Sequence, residues 1–374
     1  MIARHEALRT VFPEVDGAPR QTVLPQAPSV RWAVRPTTEQ ELSAALAGVL
    51  SQTFDLAAEI PVRATLFVLG DEEAVLVVLM HHIAGDGWSM GPLARDLVAA
   101  YTARREGAAP DWQPPAGAVR GLHAVAARSA RRRARRGRLF ARQLGYWREQ
   151  LAGLPELIVL PTDRPRPPVA SHRGAVTTFA LNAETYRRIA DLAQQRGATV
   201  FMVLQASLAA LFTRLGAGTD IPLGTPIAGR TDEALDELVG FFVNTLVLRT
   251  DTSGDPTFAE LIERVRTTDL AAYAHQDVPF EYLVEAVNPV RSTAHHPLFQ
   301  VMLALQNAPL PAFDLPGIEV TGEPVELTVS RVDLTLNLAE LPDGGVHGWA
   351  EYATDLFDRA TVDTLLERWL RLIR

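Results

Sequence analysis

No cysteine occurs among the 374 residues and no lysine either, so all 36 basic side chains are arginine. The first absence excludes disulfides, thiolate nucleophiles and cysteine-based metal sites. The second excludes Schiff-base chemistry and a phosphate loop built on the usual lysine. No apolar run approaches the ~18–20 residues needed to cross a bilayer. At the N-terminus, Glu6 and Arg9 interrupt any leader-like stretch. Positive charge is in deficit: 44 acidic residues leave a net charge of -8 and a pI near 5.6. General nucleic-acid binders are usually basic, so that class is disfavoured. No HExxH spacing is present, and no metal site is expected. Together these absences predict a soluble, cytoplasmic protein with neither nucleic acid nor membrane as partner.

What is present is apolar side chain in quantity, 47% of residues, in a chain longer than one core usually grows. Two lobes are the default. A Pro-rich stretch, residues 161–174 (PTDRPRPPVASHRG), reads as the linker between an N-terminal lobe over 1–160 and a C-terminal lobe over 175–374. Each half mixes strands of antiparallel type with helices, an α+β pattern. Asp16-Gly17 is a turn signal, and the runs 62–69 and 73–80 form a hairpin around Gly70-Asp71. Helical periodicity covers 39–53 and 90–101. An arginine-dense helix with Arg128, Arg131, Arg132, Arg133, Arg135, Arg136, Arg138 and Arg142 runs into Tyr146-Trp147. That run reads as a solvated face rather than a landing surface for an acidic partner.

The densest chemistry lies just past the hairpin, in His81-His82-Ile83-Ala84-Gly85-Asp86-Gly87. On a strand, successive side chains point to opposite faces, so only one histidine can look into a reaction site. They would not converge on one metal ion. Neutral imidazole can accept a proton or hold an amine near pH 7. Asp86 can orient that imidazole or pair with an arginine to brace the loop, and Gly87 allows close backbone approach.

Several blocks in fixed order resemble the condensation domains of nonribosomal peptide synthetases. Residues 4–12 (RHEALRTVF) are similar to RHExLRTxF, and 81–87 (HHIAGDG) to HHxxxDG. Tyr146-Trp147 through Gly153-Leu154-Pro155 resembles YWxxxLxGLP. Residues 224–230 (GTPIAGR) and 240–245 (GFFVNT) are similar to GTPxANR and GFFVNT, with Gly229 where asparagine is usual. Residues 275–281 (HQDVPFE) and 297–301 (PLFQV) continue the series.

The resemblance implies two chloramphenicol acetyltransferase-like lobes in a V-shaped pseudo-dimer with the active site at the seam. It implies amide-bond formation in which the amine of an acceptor aminoacyl-carrier attacks a donor carrier thioester. His82 would be catalytic, with His81, Asp86, Gly87 and Arg230 supporting the loop and Arg9 as an alternative partner for Asp86. The domain would bind no cofactor of its own. Phosphopantetheine arms would come from donor and acceptor carrier proteins, with an adenylation domain adjacent. Blocks 4–12, 81–89 and 275–281 look like the type joining an L-configured donor to an L-configured acceptor. The family's opening block is missing, which implies N-terminal truncation. Two other functions fit the same blocks: an acyltransferase using a free amine or alcohol, and a catalytically silent carrier-docking module. Asn244 is expected to bond across the seam, Asp277 to cap a helix, and His295-His296 to sit on the surface.

Overall fold

Asp16 and Gly17, with φ of 54° and 76°, close a two-residue turn between β2 (Glu14–Val15) and β3 (Ala18–Pro19). Positive φ at both central residues is what a right-twisted hairpin requires. Beside it, β1 (Thr10–Val11) pairs with β4 (Thr22–Val23). A computed structural model describes residues 1–112, 130–230, 232–307, 313–322 and 329–374, with 130–136 as backbone only. Two compact units emerge, both discontinuous in sequence. The first comprises Met1–Arg128, Arg230–Val243 and Ala308–Pro324; the second comprises Ser129–Gly229, Asn244–Asn307 and Val325–Arg374.

In the first unit β5 (Arg31–Pro36), β6 (Val62–Val68) and β7 (Ala74–Met80) form a three-stranded sheet. Helix α1 (Glu39–Leu50) lays Leu42, Leu46 and Val49, a helical stripe, on Phe67, Val75 and Val77 of one sheet face. The β6–β7 hairpin ends at the histidine loop, from which α2 (Met90–Arg105) departs. Ile2, Leu8, Ile60, Val62, Ala84, Leu93 and Val239 build a second small core beneath that loop. The opening block is structural: the His5 Nε2–H donates to Asp96 Oδ2 on α2 at 2.7 Å, and Arg4 Nε lies 3.0 Å from the same oxygen.

In the second unit β8 (Gly174–Leu181), β9 (Asp220–Ile227), β10 (Asn244–Asp251), β11 (Val301–Gln306), β12 (Leu334–Glu340) and β13 (Val346–Ala353) form a sheet of order β10-β9-β11-β12-β13-β8. Its β9–β11 and β11–β12 pairs are parallel and the others antiparallel. Helices α3 (Ala130–Gln150), α4 (Ala183–Gln195), α5 (Val200–Arg214), α6 (Phe258–Tyr273), α7 (Phe280–Val287) and α8 (Arg359–Ile373) belong to this unit. Helix α5 is buried almost all round, as its near-continuous apolar sequence requires. Gly224 of β9 has Phe299 on top of it, where an added Cβ would lie 2.3 Å from the ring.

These units differ from contiguous lobes split at 161–174. Helix α3 packs its fully buried Trp147, with Leu151 just past its end, in one core with Val247, Leu248 and Phe299, so it joins the second unit. The Pro-rich stretch also belongs there, because its polar groups are tied down. Arg166 forks onto Asp333, Ser171 binds Asp355 twice at 2.8 Å, and Asp163 accepts from the Asp358 N–H and the Thr361 hydroxyl. Of the arginine run, Arg138 and Arg142 are solvent-exposed, whereas Arg128 lies outside the described residues. Among the described residues no single helix is long and apolar enough to cross a membrane.

One carboxyl group in the second core has no counter-charge. Asp269 on α6 is fully buried; its Oδ1 accepts from Gln205 Nε2 at 3.1 Å, while its Oδ2 and Gln205 Oε1 have no partner. Burial pushes the Asp269 carboxyl up to about 7, against the opposing Gln205 hydrogen bond. A proton on Oδ2 can serve Gln205 Oε1, closing an acid–amide ring. Between the unfolded value near 4 and about 7 the folded chain holds one proton more than the unfolded chain. Stability contributed by that proton is therefore lost as pH rises through this window. Asp269→Asn is expected to remove a pH dependence worth up to about 3 kcal/mol between pH 5 and pH 8. Urea unfolding of parent and variant at both pH values checks this, and parallel pH responses would refute it.

Candidate active site

Strand β7 stops at Met80, and the next residues tighten into a 3-10 turn, His82–Ala84, capped by His81. The two histidines are thus separated by a cap and not by strand alternation. The His81 Nδ1 accepts the Ile83 N–H at 3.1 Å, and its ring meets Phe54 edge-on at 5.9 Å. Ala84, buried to 1% exposure, anchors the turn in the small core, and His82 on the other side faces solvent.

The His82 Nδ1 lies 2.9 Å from the Gly85 carbonyl oxygen. A carbonyl only accepts, so Nδ1 carries the hydrogen. Neutral His82 therefore offers a lone pair at Nε2, while His81, which accepts at Nδ1, is the opposite tautomer. The Phe241 ring stands edge-on to His82 at 5.2 Å and is itself half exposed. A Cβ added at Gly85 would lie 2.5 Å from Met80 Cε, the movable end of a flexible side chain.

Asp86 is buried and both carboxylate oxygens accept hydrogen bonds. Oδ1 accepts from the Ser89 N–H at 3.0 Å, the Ser89 hydroxyl at 2.9 Å and Arg230 NH2 at 3.0 Å; Oδ2 accepts from the Phe242 N–H at 2.9 Å. The Arg230 side chain is 2% exposed, donates to the Leu235 and Leu238 carbonyls, and lies 4.5 Å over the Phe242 ring. Ser89 also bonds the Gly240 N–H at 3.1 Å and lies 3.0 Å from the Gly240 carbonyl. Asp86 is thus a cap and an ion-pair partner and makes no hydrogen bond to His82. Arg9 is engaged elsewhere, with the Leu24 carbonyl and Glu6. Gly87 opens the 3-10 turn Gly87–Ser89 and is exposed.

Sequence reading does not find the Gly85 carbonyl, Phe241 or Phe242. Ser89, three residues past Asp86, was findable as the far end of a capping box. Other expectations need correction. Asn244 binds within the second unit, donating to the Gln276 and Val278 carbonyls and accepting the Phe280 N–H at 3.0 Å. It therefore caps α7. Asp277 does not, because its carboxylate and N–H pair with Gln143 on α3 at 2.6 and 3.0 Å. His275 stacks on Tyr146 at 4.0 Å. His295 and His296 are not surface groups: the His295 side chain is 8% exposed, and His296 packs against Phe280 and Phe299, where burial holds it down to about 4.

A family model described as the condensation domain matches residues 1–374. The chain belongs to the condensation-domain family. This condensation domain is 57% identical over all 374 residues to the probable non-canonical nonribosomal peptide synthetase CymA of Salinispora arenicola, spanning 5% of that protein's length. It is 49% identical over 381 aligned residues to a dimodular nonribosomal peptide synthase of Bacillus subtilis, again across the whole chain and 16% of the relative. Among solved structures it resembles the X-domain from teicoplanin biosynthesis, with a TM-score of 0.89 and 37% identity over 99% of this chain and 84% of that one. It also shares its fold, at a TM-score of 0.80 and 24% identity, with a four-domain nonribosomal peptide synthetase, covering 99% of this chain and 29% of that one. The α+β, chloramphenicol acetyltransferase-like fold that the motifs implied is the fold of these neighbours.

Proposed function

We propose that this condensation domain forms an amide bond between two carrier-bound substrates of a nonribosomal peptide synthetase. The donor's thioester carbonyl carbon is attacked by the acceptor's amine nitrogen. As the C–N bond forms the C–S bond breaks, and the proton lost by nitrogen passes through His82 Nε2 to the departing sulfur. A thiolate leaves readily, so the main requirements are positioning and a proton acceptor. Holding both reactants can supply on the order of 7–11 kcal/mol in favourable intramolecular cases. A base typically adds about 10²–10⁴ in rate.

The observation that carries this reading is the fixed tautomer of an exposed histidine, with Nδ1–H held by the Gly85 carbonyl and Nε2 left as acceptor. His81, Asp86 and Arg230 hold the loop, and Gly87 keeps its backbone uncrowded. Donor and acceptor carrier proteins would bring the substrates on phosphopantetheine arms, beside an adenylation domain and in the cytoplasm. One comparison favours a second reading, a docking module without turnover. The 36%-identical X-domain neighbour is known in complex with OxyB from the same teicoplanin biosynthesis. To test between them, both carriers are loaded with aminoacyl groups and the acceptor carrier is followed by mass. The proposed reading expects a dipeptidyl acceptor that appears only when the domain is present. No product above the uncatalysed background would favour docking.

A further inference from the structure

Where α1 ends at Leu50, a cleft of about 470 Å³ opens beside the three-stranded sheet of the first unit. That is within the ~300–1,000 Å³ of small-molecule sites. Ala33 and Thr65 are small and directly paired on β5 and β6, so they form a low floor. Three guanidiniums surround it. Arg31 is the register partner of Arg63 on the neighbouring strand, and Arg35 lies four residues further along β5 on the same face. Like charges directly opposite one another on a sheet are destabilising, and the Glu59 carboxylate, paired with Arg63 and acting on Arg31, offsets only part of that repulsion.

No carboxylate lines this cleft among the described residues. Arg63 spends its terminal nitrogens on Glu59, the Thr53 carbonyl and Gln52, and lies 4.3 Å over the Phe54 ring. Its residue is 8% exposed, yet its Nε–H is buried without a partner. Arg31 and Arg35 make no hydrogen bond with any described residue, and Arg31 interacts with the Glu59 carboxylate only through space. The carbonyls at the end of α1 do not compete for these donors, because Ser51 and Gln52 already bind Ala47, Gly48 and Val49.

We propose that this cleft binds a phosphate group, free or as the ester of a small molecule. A phosphate presents more oxygens than a carboxylate to the forks of Arg31 and Arg35 and the unpartnered Arg63 Nε–H, and arginine suits it geometrically. His82 does not line this cleft, and the proposal is independent of the amide-forming reading. In the test, the 374-residue chain is titrated with inorganic phosphate, methyl phosphate and dimethyl phosphate at constant ionic strength, with acetate as control, following melting temperature. Saturable stabilisation by at least one phosphate species, lost in R31E/R35E, is the expected result. Which species saturates distinguishes free phosphate, monoester and diester. Both changed residues are exposed strand positions, so the variant is expected to fold, and its unliganded melting temperature verifies that. An equal response in parent and variant, no saturation, or a response to acetate as strong as to phosphate would overturn the proposal.

Discussion

Replacing His82 by alanine is expected to lower the rate of amide formation about 10²–10⁴-fold, the span of general base contributions. The fold is expected to survive almost unchanged. His82 is exposed, and it gives up one hydrogen bond, to Gly85, and one ring contact, to Phe241. Such a loss typically costs about 1 kcal/mol. His81→Ala separates chemistry from architecture: it removes the acceptor for the Ile83 N–H and the contact with Phe54, so it loosens the turn and lowers turnover and melting temperature together. Product rates from the loaded carriers, read beside calorimetric melting, check both variants. Parent-like turnover in a folded His82→Ala protein would remove this residue from the mechanism.

Asp86→Ala is expected to fail differently, by unfolding. The substitution leaves the Arg230 guanidinium at 2% exposure without an anion, and the Ser89 and Phe242 N–H groups without acceptors. Removing one member of a buried pair costs about 3–5 kcal/mol, because the remaining charge is stranded. Domains of this kind hold only about 5–15 kcal/mol in all. Loss of soluble protein, or a steep fall in the urea midpoint, is the expected measurement. Asp86→Asn keeps the shape and one acceptor oxygen, so an intermediate loss is expected. A melting temperature equal to the parent's, combined with abolished turnover, would show that the carboxylate acts in the chemistry.

The two variants sort residues that sequence places in one motif. His82 and Asp86 are four apart, and a carboxylate that orients imidazole looks the same in the one-letter code as one that clamps a loop. Only the contacts separate them, and Asp86 is held by Ser89 nearby and by Arg230 and Phe242, 144 and 156 residues away.

Absence of cysteine and lysine, the acidic balance, the hairpin, the helical stripe of α1 and the Asp16-Gly17 turn were all decided within short windows, where backbone sterics and periodicity act locally. The motif series likewise carried the family. What the tertiary structure decided was everything set by long-range closure. Residues 230–243 join the first unit because Arg230 and the Phe242 N–H meet Asp86. Helix α3 and the Pro-rich stretch join the second because Trp147 and Arg166 find partners there. The tautomer of His82 and the burial of His296 belong to the same class. Each depends on which distant carbonyl or ring the folded chain brings within a few ångströms, and no local preference encodes that distance.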